Sequence, residues 1–539
     1  MKGCLRKYKY IIFPLVLMLL SITPLCSQNK TLGYQNNGKY AIGFKSFWLI
    51  DHSRSFIYKN SRSSRPLLVN VWYPSINDKT KNRMTNADYL KIPKSGEIAS
   101  ELPEDYKHYN LEILAYQLFG KSLGKFSPKE KILLDEFLQL EHPIKRNSKA
   151  IKSKFPLIIY HQGFEASFED NSVLAYFLAS HGYVVVGSSF FGDKSLSVDG
   201  RFQSLEDIKF LKNYASKHLN IDTTKIAFIG HSGGAQASIL AKSNTDNTIK
   251  AVIALETTQE LFGISDSRWE DFTKPVIQNL PNMNSAILAF SNHLAVFHLY
   301  DLMTLAERIY ITFPNSLNHN EYISQGIYAN AIKNRLLSGG NKNLTDFLTV
   351  DNDAKNYLKV NNFILNFLEW KLNKDSVSEN SFQETSYTLP IDYAYELITT
   401  VPKGTNEPKA YQFDPNKPIQ PRQVWYLART TDIDYLISIL SYYYSKDVEN
   451  PIYHDLFGFS LISELIEENK LQNAQRFLDF YKKRKIPIIQ RFLSISKFSL
   501  MMNKPDYSQR CLLNLLTIDP ENIQVKKAIQ SIGAINEKE

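Results

Sequence analysis

The sequence predicts an α/β fold, a mostly parallel sheet flanked by helices, followed by an all-helical, repeat-like domain. Three observations carry this. Short β-branched runs alternate with helical patterns from Ser46 to Ser376, a glycine-bracketed serine lies between one such run and one such helix, and residue pairs recur 34 positions apart beyond Asn469. At 539 residues the chain is too long for one ordinary domain, which favours a large α/β domain plus a second module.

The chain begins with Lys2, Arg6, Lys7 and Lys9, then an apolar run from Tyr10 to Leu20, then small and polar residues from Ser21 to Ser27. This is the pattern of a cleaved export signal over residues 1–27, and it is too short for a stable membrane span. A lipid-modified Cys26 is the rival reading, but Leu25 stands where a small residue is expected. The expected location is therefore periplasmic or extracellular. Removing the four basic residues takes the formal charge from +9 to +5, that of a mildly basic protein and not of a nucleic-acid binder. Of the three cysteines, Cys4 and Cys26 fall in the signal and only Cys511 remains, so no internal disulfide is available and stability must come from the core. A hydrophobic content of 43% makes that core plausible.

In residues 28–375, strands are expected at Phe47 to Ile50, Leu67 to Trp72, Pro156 to Tyr160, Tyr183 to Gly187, Lys225 to Ile229, Ala251 to Leu255, Ala286 to Phe290 and Arg308 to Phe313. Helices are expected near Asn171 to Ser180, Leu205 to His218, Gly233 to Lys242 and Leu302 to Glu307, and a last one, Ala354 to Leu372, should pack across the sheet. Residues 81–154 interrupt the alternation with two helical patterns, around Leu111 to Phe119 and Ile132 to Leu140. Such an insertion is either a lid over a site or a surface excursion with its own core.

The polar, Ser- and Glu-rich run after Asn373 reads as a linker over 376–410. Beyond it, residues 411–539 read as helical. Asn469-Lys470 recurs as Asn503-Lys504, Gln475-Arg476 as Gln509-Arg510 and Leu478 as Leu512. That period is the one of tetratricopeptide helix pairs, and an irregular helical domain is the alternative. Thr431 to Pro451 is a candidate degenerate third copy.

The serine motif is Gly230-His231-Ser232-Gly233-Gly234, preceded by the apolar run Ile226 to Ile229 and followed by the helical pattern from Ala235 to Ala241. In that context a tight strand-to-helix turn presents a nucleophilic serine above the sheet, with the helix dipole aimed at the reacting centre. A glycine-rich turn with a structural serine is the plainer alternative. A serine hydroxyl needs a base, and the base an orienting carboxylate. His319, after the last strand, is the expected base; His293 competes from the end of the preceding strand, and His231 is expected to point away from Ser232. Glu256, at the end of Ala251 to Leu255, is the expected acid, with Asp266 and Asp301 as alternatives. Two backbone N–H groups must meet the oxyanion. Gly233 and Phe164, in the loop His161-Gln162-Gly163-Phe164, are the candidates.

These residues resemble the platelet-activating factor acetylhydrolase family, which shades into dienelactone-hydrolase-like esterases of the α/β-hydrolase fold. The carrying segments are Arg65 to Pro74, Pro156 to Phe164, Leu178 to Val185, Lys225 to Gly234, Val252 to Glu256 and Asn318-His319-Asn320. The resemblance spans roughly residues 40–375 and leaves the helical region out. It implies a triad of Ser232, Glu256 and His319 acting on acetyl or short-acyl esters with no cofactor or metal. The chain departs from the family at Glu256, where Asp is usual, and at His161-Gln162-Gly163, where Ser-His-Gly is usual. The first change adds a methylene of reach, and both bear on the substrate. The expected function is cleavage of a small carboxylic ester through an acyl-enzyme. A serine peptidase on the same fold, or a non-catalytic scaffold whose helical repeats hold a protein partner, are the rivals.

Overall fold

The computed structural model describes residues 32, 37–192, 196, 202–244, 247–256, 266–291, 296–313, 317–338, 343–350, 352–383, 397–405, 419–446, 448, 450–501 and 503–536. The export-signal reading, Cys26 and the competitor His293 lie outside them.

The strands in chain order are β1 (Ala41–Tyr58), β2 (Ser61–Ser75), β3 (Met84–Thr85), β4 (Glu141–His142), β5 (Ile144–Arg146), β6 (Phe155–His161), β7 (Val184–Ser188), β8 (Ile221–His231), β9 (Ile249–Leu255), β10 (Ala286–Ser291), β11 (Arg308–Thr312) and β12 (Leu397–Val401). Ten of them form one sheet in the order β12-β11-β10-β9-β8-β6-β7-β2-β1-β5, while β3 and β4 pair separately in the insertion. The run from β7 to β11 is parallel throughout. β2 is antiparallel to β1 and β7, and β12 is antiparallel to β11. This is a large, mostly parallel sheet flanked by helices, with an all-helical region after it.

Because strand side chains alternate between faces, the buried strands feed two cores at once. Ile158 and Tyr160 join the core under helices Ser172–Ser180, Ser324–Ser338 and Asn352–Asn373, whereas Leu157 and Ile159 join that under helices Phe202–His218 and Gly233–Ser243. Arg65 on β2 is buried, and its guanidinium meets Asp207 on helix Phe202–His218 at 2.6 Å. That pair satisfies two charges which burial would otherwise penalise. The insertion helices are Leu102–Phe119 and Pro128–Leu138, and both feed the first core.

Two expectations are corrected. The stretch Leu302 to Glu307 is a series of turns, and the helix there is the short His298–Asp301. The carbonyls that would propagate it are taken elsewhere, those of Tyr300 and Asp301 by Arg308 and that of Thr304 by the Gly404 N–H. Within the stretch read as a linker, Leu397–Val401 is the edge strand of the sheet, and Ser376–Glu379 continues as a helical turn after Asn373.

The C-terminal helices are Pro421–Thr430, Ile433–Tyr444, Asp455–Glu467, Leu471–Lys483, Ile488–Met501, Pro505–Ile518 and Ile523–Asn536. They enclose a third core, which also takes in Val296 from the α/β part. Asp301 ties the two parts together: it accepts from the buried Arg422 guanidinium at 2.7 and 2.9 Å and from the Tyr426 hydroxyl at 2.7 Å. Among the described residues no helix is long and apolar enough to cross a membrane.

Candidate active site

Ser232 stands between β8 and helix Gly233–Ser243 at φ 53° and ψ −120°. A non-glycine residue at positive φ stores strain and needs a surrounding structure that over-determines it. Two close approaches supply this. A Cβ on Gly230 would lie 2.2 Å from the Gly234 carbonyl oxygen, and one on Gly234 would lie 2.2 Å from the His161 carbonyl oxygen. The turn therefore closes only with hydrogen at both positions, and it presses the helix start against the loop after β6. The Ser232 N–H donates to the Leu255 carbonyl at 2.9 Å, which fixes the elbow to the end of β9.

The loop after β6 reaches the serine from the other side. A Cβ on Gly163 would sit 3.5 Å from the Ser232 Cβ, so this backbone runs beside the candidate nucleophile. The Phe164 ring fills the space next to Gly233 and is 40% exposed. His161, where the resembling family has serine, turns away: its ring stacks on Phe190 at 3.8 Å and its Nδ1 lies 2.7 Å from the Gln162 carbonyl oxygen. Burial lowers its pKa to about 4, so it is neutral at physiological pH.

Glu256 follows directly on Leu255, is 2% exposed, adopts φ 44°, and donates its N–H to the Phe290 carbonyl at 3.1 Å. Its charge contributes, after burial, to raising the pKa of the Tyr322 phenol, so the carboxylate lies within electrostatic reach of that phenol, at the end of the turn His319–Tyr322. His319 opens that turn, and burial lowers its pKa. Ser232, Glu256 and the His319 turn thus lie at the carboxyl edge of the parallel strands β8, β9 and β11, where this class of sheet places its ligands. The two alternative acids are engaged elsewhere. Asp266 forms a two-pronged pair with Arg268 at 2.6 and 2.9 Å, and Asp301 serves Arg422, Tyr426 and Tyr310.

Two sets of residues escaped the sequence reading. His231 does not simply point away. Its Nε2–H donates to the His319 carbonyl at 2.9 Å, with the two rings 4.9 Å apart, and so clamps the histidine turn to the elbow. Burial, with the neighbouring His319, lowers its pKa to about 3, which keeps the ring neutral. The second set is Asp170-Asn171. Asp170 Oδ1 accepts from the Tyr160 hydroxyl at 2.6 Å, and its carbonyl accepts from Ser324 and Gln325, both at 3.0 Å. Asn171 bonds Ser324, the Tyr322 carbonyl and the Tyr357 hydroxyl. This buried network joins the loop after β6 to the segment after His319. Its only sequence signal was a polar Glu169-Asp170-Asn171 run at the start of an apolar helix.

A separate cavity of about 270 Å³ lies at the opposite, amino edge of the sheet, between Lys45, Tyr73, Phe155 and Leu219, and takes no part in this arrangement. Comparison with protein families finds no match to the chain. Comparison with curated proteins finds none either. Among solved structures the chain is similar to a ferulic acid esterase from Streptomyces cinnamoneus, with 16% identity and a TM-score of 0.43, over 63% of this chain and 92% of that one.

Proposed function

We propose that the chain is a serine hydrolase that cleaves carboxylic esters, short-acyl esters foremost, through Ser232, His319 and Glu256. The observation that carries the reading is the strained Ser232, held at positive φ between a buried strand and a helix, with the Gly163 backbone against it. Strain of this kind persists where the site uses it. In the proposed reaction neutral His319 removes the Ser232 hydroxyl proton as Oγ attacks the ester carbonyl. Glu256 orients the imidazole and stabilises the imidazolium. The Gly233 and Phe164 N–H groups receive the oxyanion. His319 then protonates the leaving alcohol, and water, deprotonated by the same histidine, releases the acid and regenerates Ser232.

The resemblance to acetylhydrolases supports the short-acyl preference, and the exposed Phe164 beside Gly233 offers an apolar contact for an acyl or alcohol group. Successive helix pairs start at Asp455 and Ile488, and at Leu471 and Pro505, a spacing that supports a tetratricopeptide-like reading of the tail. Export to the periplasm or beyond follows from the N-terminal pattern. The test is an acyl-chain-length series of 4-nitrophenyl esters, with Ser232→Ala as control. The proposal expects kcat/KM to be highest at acetate or butyrate and to vanish in the variant; equal turnover by the variant would overturn it.

A further inference from the structure

The helical region approaches the surroundings of Ser232 through the segment Asp266 to Lys274. Its helical turn Trp269–Thr273 carries Phe272, buried to 3% exposure. The Phe272 ring centroid lies 6.3 Å from that of Phe164, the ring that occupies the space beside Gly233. Phe164 is thus backed by Phe272, at a spacing that suits tilted aromatic packing.

The segment is held from the helical side. Lys504 Nζ donates to the Ser267 carbonyl at 2.7 Å and to Asp271 Oδ2 at 2.9 Å. The Tyr507 hydroxyl bonds Glu270, and the Arg268 guanidinium, paired with Asp266, lies 5.3 Å above the Phe498 ring. Lys504 belongs to the repeated Asn-Lys pair. Asn469 and Asn503 both adopt left-handed φ, 58° and 55°, in the links between helices. The lysines that follow them then diverge. Lys470 Nζ donates to the Arg429 carbonyl, inside the helical region, whereas Lys504 Nζ is directed to the α/β part.

We propose that the helical region sets the aromatic wall of the ester site, with Lys504 as a positioning residue that acts through Asp271 and Phe272 on Phe164 and so on the fit of the ester's apolar group. This rests on the ester-hydrolase reading above. Lys504 anchors both ends of a short turn, one through a backbone carbonyl and one through a carboxylate. Without it the turn that carries Phe272 loses its anchors at both ends and keeps only the flanking contacts of Glu270 and Arg268 with the helical side. The candidate triad lies on other elements, so the loss falls on substrate fit, which appears in KM, and not on the chemical step.

The experiment compares full-length wild type, Lys504→Met, Lys504→Arg, Lys470→Met and Phe272→Leu on 4-nitrophenyl acetate, butyrate and octanoate. In Lys504→Met, KM for butyrate and octanoate should rise about tenfold with kcat within about twofold of wild type. Lys504→Arg should recover most of the loss, Phe272→Leu should reproduce it with the lysine contacts intact, and Lys470→Met should keep the wild-type KM. Wild-type KM values in both Lys504→Met and Phe272→Leu would overturn the inference, as would an equal rise in Lys470→Met. If Lys504→Met does not fold, Phe272→Leu alone decides by the same criterion. Labelling of wild type by a fluorophosphonate separates the two levels: no labelling sinks the ester-hydrolase reading, while labelling with unchanged KM sinks only this wall.

Discussion

Gly234→Ala probes the elbow through sterics alone, because Gly234 lies in the first turn of helix Gly233–Ser243 and needs no unusual backbone angle. The added Cβ would stand 2.2 Å from the His161 carbonyl oxygen and 2.4 Å from that of Gln162, where real Cβ atoms essentially never come within 3.0 Å. The loop after β6 must then retreat by some 0.6 to 0.8 Å. Overpacking against backbone costs about 3 kcal/mol, of which alanine's better helix propensity returns about 1, leaving a net loss near 2 kcal/mol. The same loop carries Phe164, so the proposed Phe164 oxyanion donor moves with it, and misplacement on this scale lowers kcat/KM by about a hundredfold. Gly233→Ala is the matched contrast. The nearest atoms to its Cβ belong to the Phe164 ring, at 2.4 to 2.6 Å, and a ring that is 40% exposed can swing aside. Stability should then stay within about 0.5 kcal/mol of wild type. Urea unfolding and 4-nitrophenyl acetate kinetics on both variants measure these quantities. A Gly234→Ala protein as stable and active as wild type, or Gly233→Ala as the more destabilised of the two, would refute the packing argument.

Three further outcomes follow from the site and its supports. Glu256→Gln should lower kcat by about a thousandfold or more, since a neutral amide cannot stabilise the imidazolium, while Asp266→Asn costs far less; the reverse order in steady-state kinetics would move the acid. Burial puts the His319 pKa below 6.5. Because the base works only when neutral, kcat/KM should rise as pH increases through that lowered pKa and be level above it. A pH–rate profile with its acid midpoint above about 7 would contradict this assignment. Arg422→Met leaves Asp301 charged and buried, with side-chain exposures of 4% and 2% for the pair, and should destabilise the protein by about 3 kcal/mol; a urea midpoint equal to wild type would show that the pair does not hold the two parts together.

The parallel strands and the Ser232 turn were legible because the signals are local: apolar β-branched runs, and glycines where backbones touch. Glu256 was legible only as the residue after a strand. What separates it from the two alternatives as the proposed acid is tertiary, since Asp266 and Asp301 are engaged by Arg268, Arg422 and Tyr426, and none of these partners is predictable from spacing. The same holds for Leu302 to Glu307, whose apolar spacing imitates a helix while Arg308 claims the Tyr300 and Asp301 carbonyls before it and Gly404 that of Thr304 within it. The edge strand Leu397–Val401 is five residues long, too short to stand out from a linker. The clamp from His231 to His319 spans 88 residues. The adjacency of His231 to the serine is a matter of its backbone, whereas its contact with His319 depends on where its ring ends. Asp170 was hidden for a similar reason, because its partners Tyr160 and the adjacent Ser324 and Gln325 come from two segments far apart in the chain.

The most direct measurement is mass spectrometry of the intact protein and its peptides after treatment with a fluorophosphonate. One adduct, on the peptide holding Ser232, lost in Ser232→Ala and slowed by about a thousandfold in His319→Gln, is the predicted result. A wild-type protein that folds but takes no label, or carries it on another residue, would contradict the account.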